Sequence, residues 1–291
     1  MKPTDIAQPD YFHKVVDCQW ACPAHTPVPE YIRLIAQGRY DDAYLVNWKS
    51  NVFPGILGRT CDRPCEPACR RVRVEEGSPE HRKAHPNPEA VALSRLKPAA
   101  ADYKGDIRPH LPKPAAKGNG KRVALVGAGP ASLTVARDLA PHGYHCVVFD
   151  GDPKAGGMMR TQIPKFRLPD RVIDEECGYV LDLGVEFRAG TRVDSMAALL
   201  AEGYDAVFVG SGAPRGRDLD IPGRREAAKR IHIGIDWLSS VSFGHTTSIG
   251  KRVVVLGGGN TAMDCCRSAR RLGGENVQVV VRSGFDEMKA S

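Results

Sequence analysis

Five of the nine cysteines fall in two short runs, Cys18-Gln-Trp-Ala-Cys22-Pro and Cys61-Asp-Arg-Pro-Cys65-Glu-Pro-Ala-Cys69. Three residues separate each neighbouring pair, and Pro23, Pro64 and Pro67 punctuate the runs. Thiolates this closely spaced let adjacent turns of chain wrap an iron–sulfur cubane. A structural zinc site is the competing reading, but zinc takes four ligands, usually in C-x-x-C-like pairs, and an odd five fits it less well. The spacing does not select which four of Cys18, Cys22, Cys61, Cys65 and Cys69 act as ligands.

Two glycine turns carry a second chemistry. The first follows the apolar run Val123-Ala-Leu-Val126 and reads Gly127-Ala-Gly129-Pro130-Ala131-Ser132, ahead of a helical pattern at Leu133, Ala136, Leu139 and Ala140. Gly127 permits the tight turn, Gly129 lets backbone approach a pyrophosphate, and a helix amino terminus offers free N–H groups and positive potential. Ser132 stands where a third glycine is usual and is still small. Asp150 closes the next apolar run, Cys146-Val-Val-Phe149, where a carboxylate accepts from ribose hydroxyls.

The second turn, Gly257-Gly-Gly259-Asn260-Thr261-Ala262, follows Val253-Val-Val-Leu256 and precedes a helical pattern at Met263, Cys266, Ala269 and Leu272. Its next strand, read at 277–281, ends in Arg282 rather than a carboxylate, which suits a 2′-phosphate and so NADPH over NADH. A solvated basic residue at a strand end is the bland alternative. Cys265 and Cys266 are adjacent, not the C-x-x-C pair of a dithiol relay. Cys266 is read as a buried helical thiol, and Cys146 and Cys177 as packing residues. No acid–base pair or nucleophile stands out, so the catalytic side chain is unknown and bound cofactors are expected to carry the chemistry.

These residues need a scaffold that alternates strand and helix. The repeated order strand, glycine turn, helix, strand predicts an α/β fold with parallel strands. Helical spacing at Tyr31, Leu34 and Ile35, then Ala43, Tyr44 and Trp48, predicts a helical cysteine-bearing domain over 1–97. Residues 77–89 read as an exposed loop, and the Pro- and Gly-rich stretch 98–120 as a linker. A first dinucleotide unit is expected at 121–248 and a second, incomplete one at 249–291. Only ten residues follow Val281, short of another βαβ half, so exposed strand edges and apolar surface are expected.

The segments GAGPASL, GGMM at 156–159, IPKFRLPDRVI at 163–173 and VFPGILGRTCDRPCEPAC resemble the small subunit of glutamate synthase and its relatives, including part of dihydropyrimidine dehydrogenase. That resemblance covers nearly the whole chain. It implies FAD contacts from Gly156 and Gly157, from the loop holding Arg167, Leu168 and Pro169, and from the strand and turn Tyr204 to Ala213 with Gly210 and Gly212. It also implies an iron–sulfur amino-terminal domain. The family's first cysteine pair is absent, since residues 1–17 hold no cysteine, so one [4Fe-4S] cluster is expected rather than two. The implied activity passes hydride from NADPH to FAD, and then electrons through the cluster to an accepting protein such as a glutamate synthase large subunit or a ferredoxin-linked enzyme. A non-catalytic cluster-bearing or protein-binding module is the alternative.

Composition bounds the rest. The 291 residues are 42% hydrophobic and 26% charged, with net charge +7, ordinary for globular domains. The basic residues are scattered and not interleaved with aromatics, so no nucleic-acid surface is expected. Apolar runs are strand-sized, far below the ~20 residues of a membrane span. The polar start carries no secretory pattern, so a cytoplasmic chain with reduced thiols is expected.

Overall fold

The computed structural model describes residues 16–69, 71 and 89–290, and the chain divides into two compact units, 1–111 and 112–291. All but Glu89 of the loop read at 77–89 lies outside the described residues.

The first unit is helical: α1 (Asp17–Ala21), α2 (Val28–Ala36), α3 (Tyr40–Asn51), α4 (Pro54–Thr60) and α5 (Leu93–Tyr103). Tyr31 and Leu34 turn inward from α2, and Ala43, Tyr44 and Trp48 from α3, as helical spacing requires. Val28, Tyr31, Leu34, Ala43, Leu93 and Ala100 form one core cluster.

Helix α5 corrects the sequence reading of a linker beginning at Pro98. It runs on to Tyr103 because Leu93, Lys97 and Ala100 make one buried face, and because Pro98 is accommodated inside it. Gly58 of α4 makes that possible: a Cβ there would stand 2.6 Å from Pro98 Cδ and 2.7 Å from its nitrogen. The Arg59 guanidinium donates to both oxygens of Asp102, at 2.6 and 2.7 Å, and ties the same pair of helices together. The break between units falls after Leu111.

The second unit alternates strand and helix: β1 (Arg122–Val126), α6 (Pro130–Leu139), β2 (His145–Phe149), α7 (Met158–Thr161), α8 (Asp170–Leu181), β3 (Glu186–Arg188), α9 (Met196–Ala201) and β4 (Ala206–Val209). After these come α10 (Gly234–Ser242), β5 (Arg252–Leu256), α11 (Asn260–Arg271) and β6 (Asn276–Val280). The first four strands form one parallel sheet in the order β3-β2-β1-β4, with Val123 opposite both Cys146 and Ala206. This is the sheet of an α/β dinucleotide fold, its central strands buried on both faces.

β5 and β6 pair in parallel as a separate two-stranded sheet. One face packs Val253, Val255 and Val277 on α10 and α11, and the other is open to solvent, with Val254, Leu256 and Val280 61%, 58% and 50% exposed.

Candidate cofactor sites

The first glycine turn sits at the carboxyl ends of β1, β2 and β4, where ligands lie in open parallel sheets. Gly127, at φ +95°, donates its N–H to Phe149 O at 2.7 Å, and Gly210 donates to Val126 O at 2.8 Å. Gly129 caps α6 from extended backbone with no side chain on the helix N–H groups, and Pro130 fills the first helical position. A ten-residue helix thus presents an uncapped, positive amino terminus into the turn.

Gly157 closes against this turn: a Cβ on it would stand 2.7 Å from Gly129 Cα, while Gly156 donates to Ala128 O at 2.8 Å. Gly127, Gly129, Pro130, Ala131, Ser132, Asp150, Gly156, Gly157 and Gly210 are thus drawn to one end of the sheet. Ser132 is fully buried, and a Cβ on Gly210 would meet its hydroxyl at 2.2 Å, so the serine is accommodated by a second glycine rather than by looser packing. Asp150 serves the turn itself, accepting from Ala128 N at 2.5 Å and Asp152 N at 2.9 Å. Each carboxylate oxygen retains acceptor capacity toward a hydroxyl. Gly212 stands apart, in the exposed segment after β4, with no atom near its α-carbon face.

The second turn repeats the first. Gly257, at φ +126°, donates to Val280 O at 2.9 Å, and Gly259 caps the twelve-residue α11 with no side chain on its N–H groups. Ala262 is buried 3.6 Å from where a Gly257 Cβ would be, which explains the small third residue. Asn260 and Thr261 occupy the first two helical positions, and exposed Arg282 follows the strand end that the turn bonds.

Three features were not anticipated from the sequence. The Arg160 side chain is 5% exposed and locks the Gly156–Gly157 bend, donating to Ala155 O at 2.8 Å while pairing with Asp174 at 2.5 Å. Arg167 pairs with Asp264 of α11 at 2.5 Å. Burial raises the Asp264 carboxyl above the usual carboxylate range, against the pull of Arg167 and Arg267. The buried thiol of α11 is Cys265 rather than Cys266: Cys265 packs with Ala269 and Leu272 on Trp237 and Leu238 of α10, so the inward face keeps the second half of the expected stripe and is shifted by one residue in the first. Burial pushes Cys146 to about 11 and Cys177 and Cys265 to about 12, which suits packing thiols.

In the helical unit, Cys22, Cys61 and Cys65 line one cavity and Cys18 and Cys69 another. Burial raises the Cys65 thiol to about 11. At Cys22 the effect of burial is outweighed by hydrogen bonds from Thr26 and Ala24 and by the Lys97 charge, and its thiol is lowered. Among the described residues no three His, Cys, Asp or Glu side chains converge at the spacing of a single metal ion. The cavity that the three thiols share with Thr26, Tyr31 and Lys97 is about 10 Å³, room for about one water and not, as it stands, for a cubane. The donor set fits such a group: thiols with Lys97 and Arg63 as cationic neighbours of an anionic cluster.

Comparison with known proteins matches residues 121–285 to the pyridine nucleotide-disulphide oxidoreductase family. Residues 12–106 match the dihydropyrimidine dehydrogenase domain II, 4Fe-4S cluster family. The chain is 35% identical over 300 residues to the NADPH-Fe(3+) oxidoreductase subunit beta of Geobacter sulfurreducens, covering 99% of this chain and 42% of that one. It is 32% identical over 289 residues to the glutamate synthase [NADPH] small chain of Escherichia coli, covering 94% of this chain and 58% of that one. The Mycobacterium tuberculosis FprA structure in complex with NADPH aligns with TM-score 0.49 at 22% identity, over 59% of this chain and 45% of that one. The chain thus spans about two-fifths to three-fifths of the length of these curated relatives. No helix among the described residues is long and apolar enough to cross a membrane. With both glycine turns inside the matched segment and the cysteine runs inside the segment before it, the chain belongs to the pyridine nucleotide-disulphide oxidoreductase family and carries a 4Fe-4S-type domain ahead of it.

Proposed function

We propose that the chain binds FAD at the first glycine turn, NADPH at the second, and one [4Fe-4S] cluster in the helical unit, and that it moves electrons from NADPH to a partner protein. The observation that carries this reading is the pair of uncapped helix amino termini, at Gly129 and Gly259, each behind a glycine turn at a parallel strand end. FAD accepts a hydride and releases single electrons, the conversion that a nicotinamide donor and an iron–sulfur acceptor require.

The chain's own residues bind and orient. The N–H groups at the start of α6 face a pyrophosphate, Gly129 and Gly157 leave it room, and Asp150 accepts from ribose hydroxyls while fixing the turn through Ala128. At the second turn Gly259, Asn260 and Thr261 open α11 to the second pyrophosphate, and Arg282 meets the 2′-phosphate. The partner is an electron-accepting subunit, of the kind a glutamate synthase large chain or a ferredoxin-linked enzyme supplies.

Anaerobic purification followed by visible spectroscopy tests this reading. Flavin bands and a broad iron–sulfur absorption, both bleached by NADPH, are expected, and a colourless protein overturns it. Arg282→Ala should raise the NADPH concentration for half-maximal bleaching about tenfold, about 1.4 kcal/mol, and leave that for NADH unchanged. An equal effect on both cofactors removes Arg282 from the 2′-phosphate site.

A further inference from the structure

Among the described residues the two sheets of the second unit share no strand, and the stretch 210–233 between them is mostly exposed. Side chains join the two parts instead. The Ser242 hydroxyl at the end of α10 donates to Arg160 O of α7 at 2.6 Å, and Arg167 pairs with Asp264 of α11. Beside that pair, the guanidinium carbons of Arg267 and Arg271 lie over the Phe166 ring, 4.7 and 3.8 Å from its centroid. At such distances a cation is drawn to the negative face of the ring.

Asp264, Arg267 and Arg271 are three and four residues apart and make one stripe of α11. Cys265 and Ala269 make another, which packs on α10. The first stripe meets a loop that is itself well held: Arg167 N and Leu168 N both donate to Pro164 O, at 2.8 and 3.0 Å, and Leu168 is fully buried. Phe166 follows Gly157 by nine residues, and Asp264 follows Gly259 by five. The contact of Phe166 with α11 therefore connects the two glycine turns by short paths. The ring keeps 36% exposure, so a substitution there disturbs no fully buried packing.

Resting on the function proposed above, we propose that Phe166 is a positioning residue for hydride transfer. By holding Arg267 and Arg271, its ring sets the direction of α11, and with it the approach of an NADPH bound at the amino terminus of α11 to a flavin bound at the first turn. The reaction is transfer of one hydride, two electrons and a proton, from NADPH to oxidised FAD, leaving NADP+ and FADH−, and no bond of Phe166 changes in it. Orientation governs its rate, because a small misplacement of the reacting atoms raises the barrier without releasing either ligand.

Stopped-flow reduction of the full chain by NADPH tests this, with amide hydrogen exchange on the nucleotide-free protein beside it. Phe166→Leu keeps apolar bulk and loses the aromatic face. Its limiting rate of flavin reduction should fall about tenfold, while flavin content, reduction by dithionite and the NADPH concentration for half-maximal rate stay as in wild type. Phe166→Trp, which keeps a ring for the two guanidiniums, should restore the rate. Arg267→Met with Arg271→Met should match Phe166→Leu, and all three changes together should be no slower. Amide exchange in 163–169 and in α11 should rise in Phe166→Leu and not in Phe166→Trp. A wild-type rate in Phe166→Leu, an equal loss in Phe166→Trp, or a slower rate that merely follows lost flavin or a lowered denaturation midpoint overturns the positioning role. Unchanged exchange in Phe166→Leu overturns it too, and does so even where NADPH fails to reduce the wild-type flavin, the result that overturns the proposed function itself.

Discussion

Gly127→Ala should destabilise the second unit and leave it almost free of flavin. Gly127 sits at φ +95°, and a Cβ there would lie 2.6 Å from Gly210 O and 3.0 Å from Gly210 C. Both obstacles are backbone, at the point where β4 bonds β1 through Gly210 N and Val126 O. Relief requires those two strands to separate at the end that holds the cofactor. Backbone strain and overpacking together cost about 3 kcal/mol.

Gly129 makes a different case, because a Cβ there would meet nothing closer than 4.0 Å. Gly129→Ala should therefore cost no more than about 1 kcal/mol, the loss of a glycine helix cap, and still lose flavin, since the side chain enters space that the pyrophosphate needs. Gly151→Ala, where a Cβ meets no atom within 4 Å, is the control that keeps both. Flavin content and urea denaturation on the three variants separate the roles. Full flavin in Gly129→Ala removes the pyrophosphate from this turn.

The contrast between these glycines shows what the sequence discloses. Both turns are local: strand, bend and helix lie within about a dozen residues, so their order along the chain reports their geometry directly. The parallel sheet followed from the same alternation. The start of the linker was hidden, because Pro98 reads as a helix breaker until Gly58, forty residues earlier, is seen to receive it. The phase of α11 was hidden too. Cys265 is inward only because Trp237 of α10 lies there, and periodicity in a sequence rich in small residues does not distinguish it from Cys266.

The Arg167–Asp264 pair is the most distant of these long-range features, and its removal has a pH-dependent consequence. Arg167→Ala should cost about 3 kcal/mol at neutral pH, the scale of breaking a buried ion pair from one side. Asp264 is 4% exposed, its Oδ2 accepts from Arg167 at 2.5 Å, and its Oδ1 has no partner. Burial already raises its pKa, and Arg167 is the largest influence holding it down, ahead of Arg267. Without Arg167 the folded-state value rises further, so the folded chain binds a proton that the unfolded chain has released. Stability then falls as pH climbs from the unfolded carboxyl value of 3.8 through the raised folded value, and the full loss is present above it. Acidification into that window should restore part of the loss in Arg167→Ala. Asp264→Asn, which removes the charge and leaves Arg167 partly hydrated, should cost only about 1 kcal/mol, with little pH dependence. The double variant should resemble Asp264→Asn rather than the sum. Because the pair ties the loop after Gly157 to the helix that opens from the second turn, the rate of flavin bleaching by NADPH should fall in Arg167→Ala at unchanged flavin content. Denaturation midpoints at neutral and mildly acidic pH read the electrostatic half of the argument, and a loss in Arg167→Ala independent of pH would show that Arg167 does not control the protonation of Asp264.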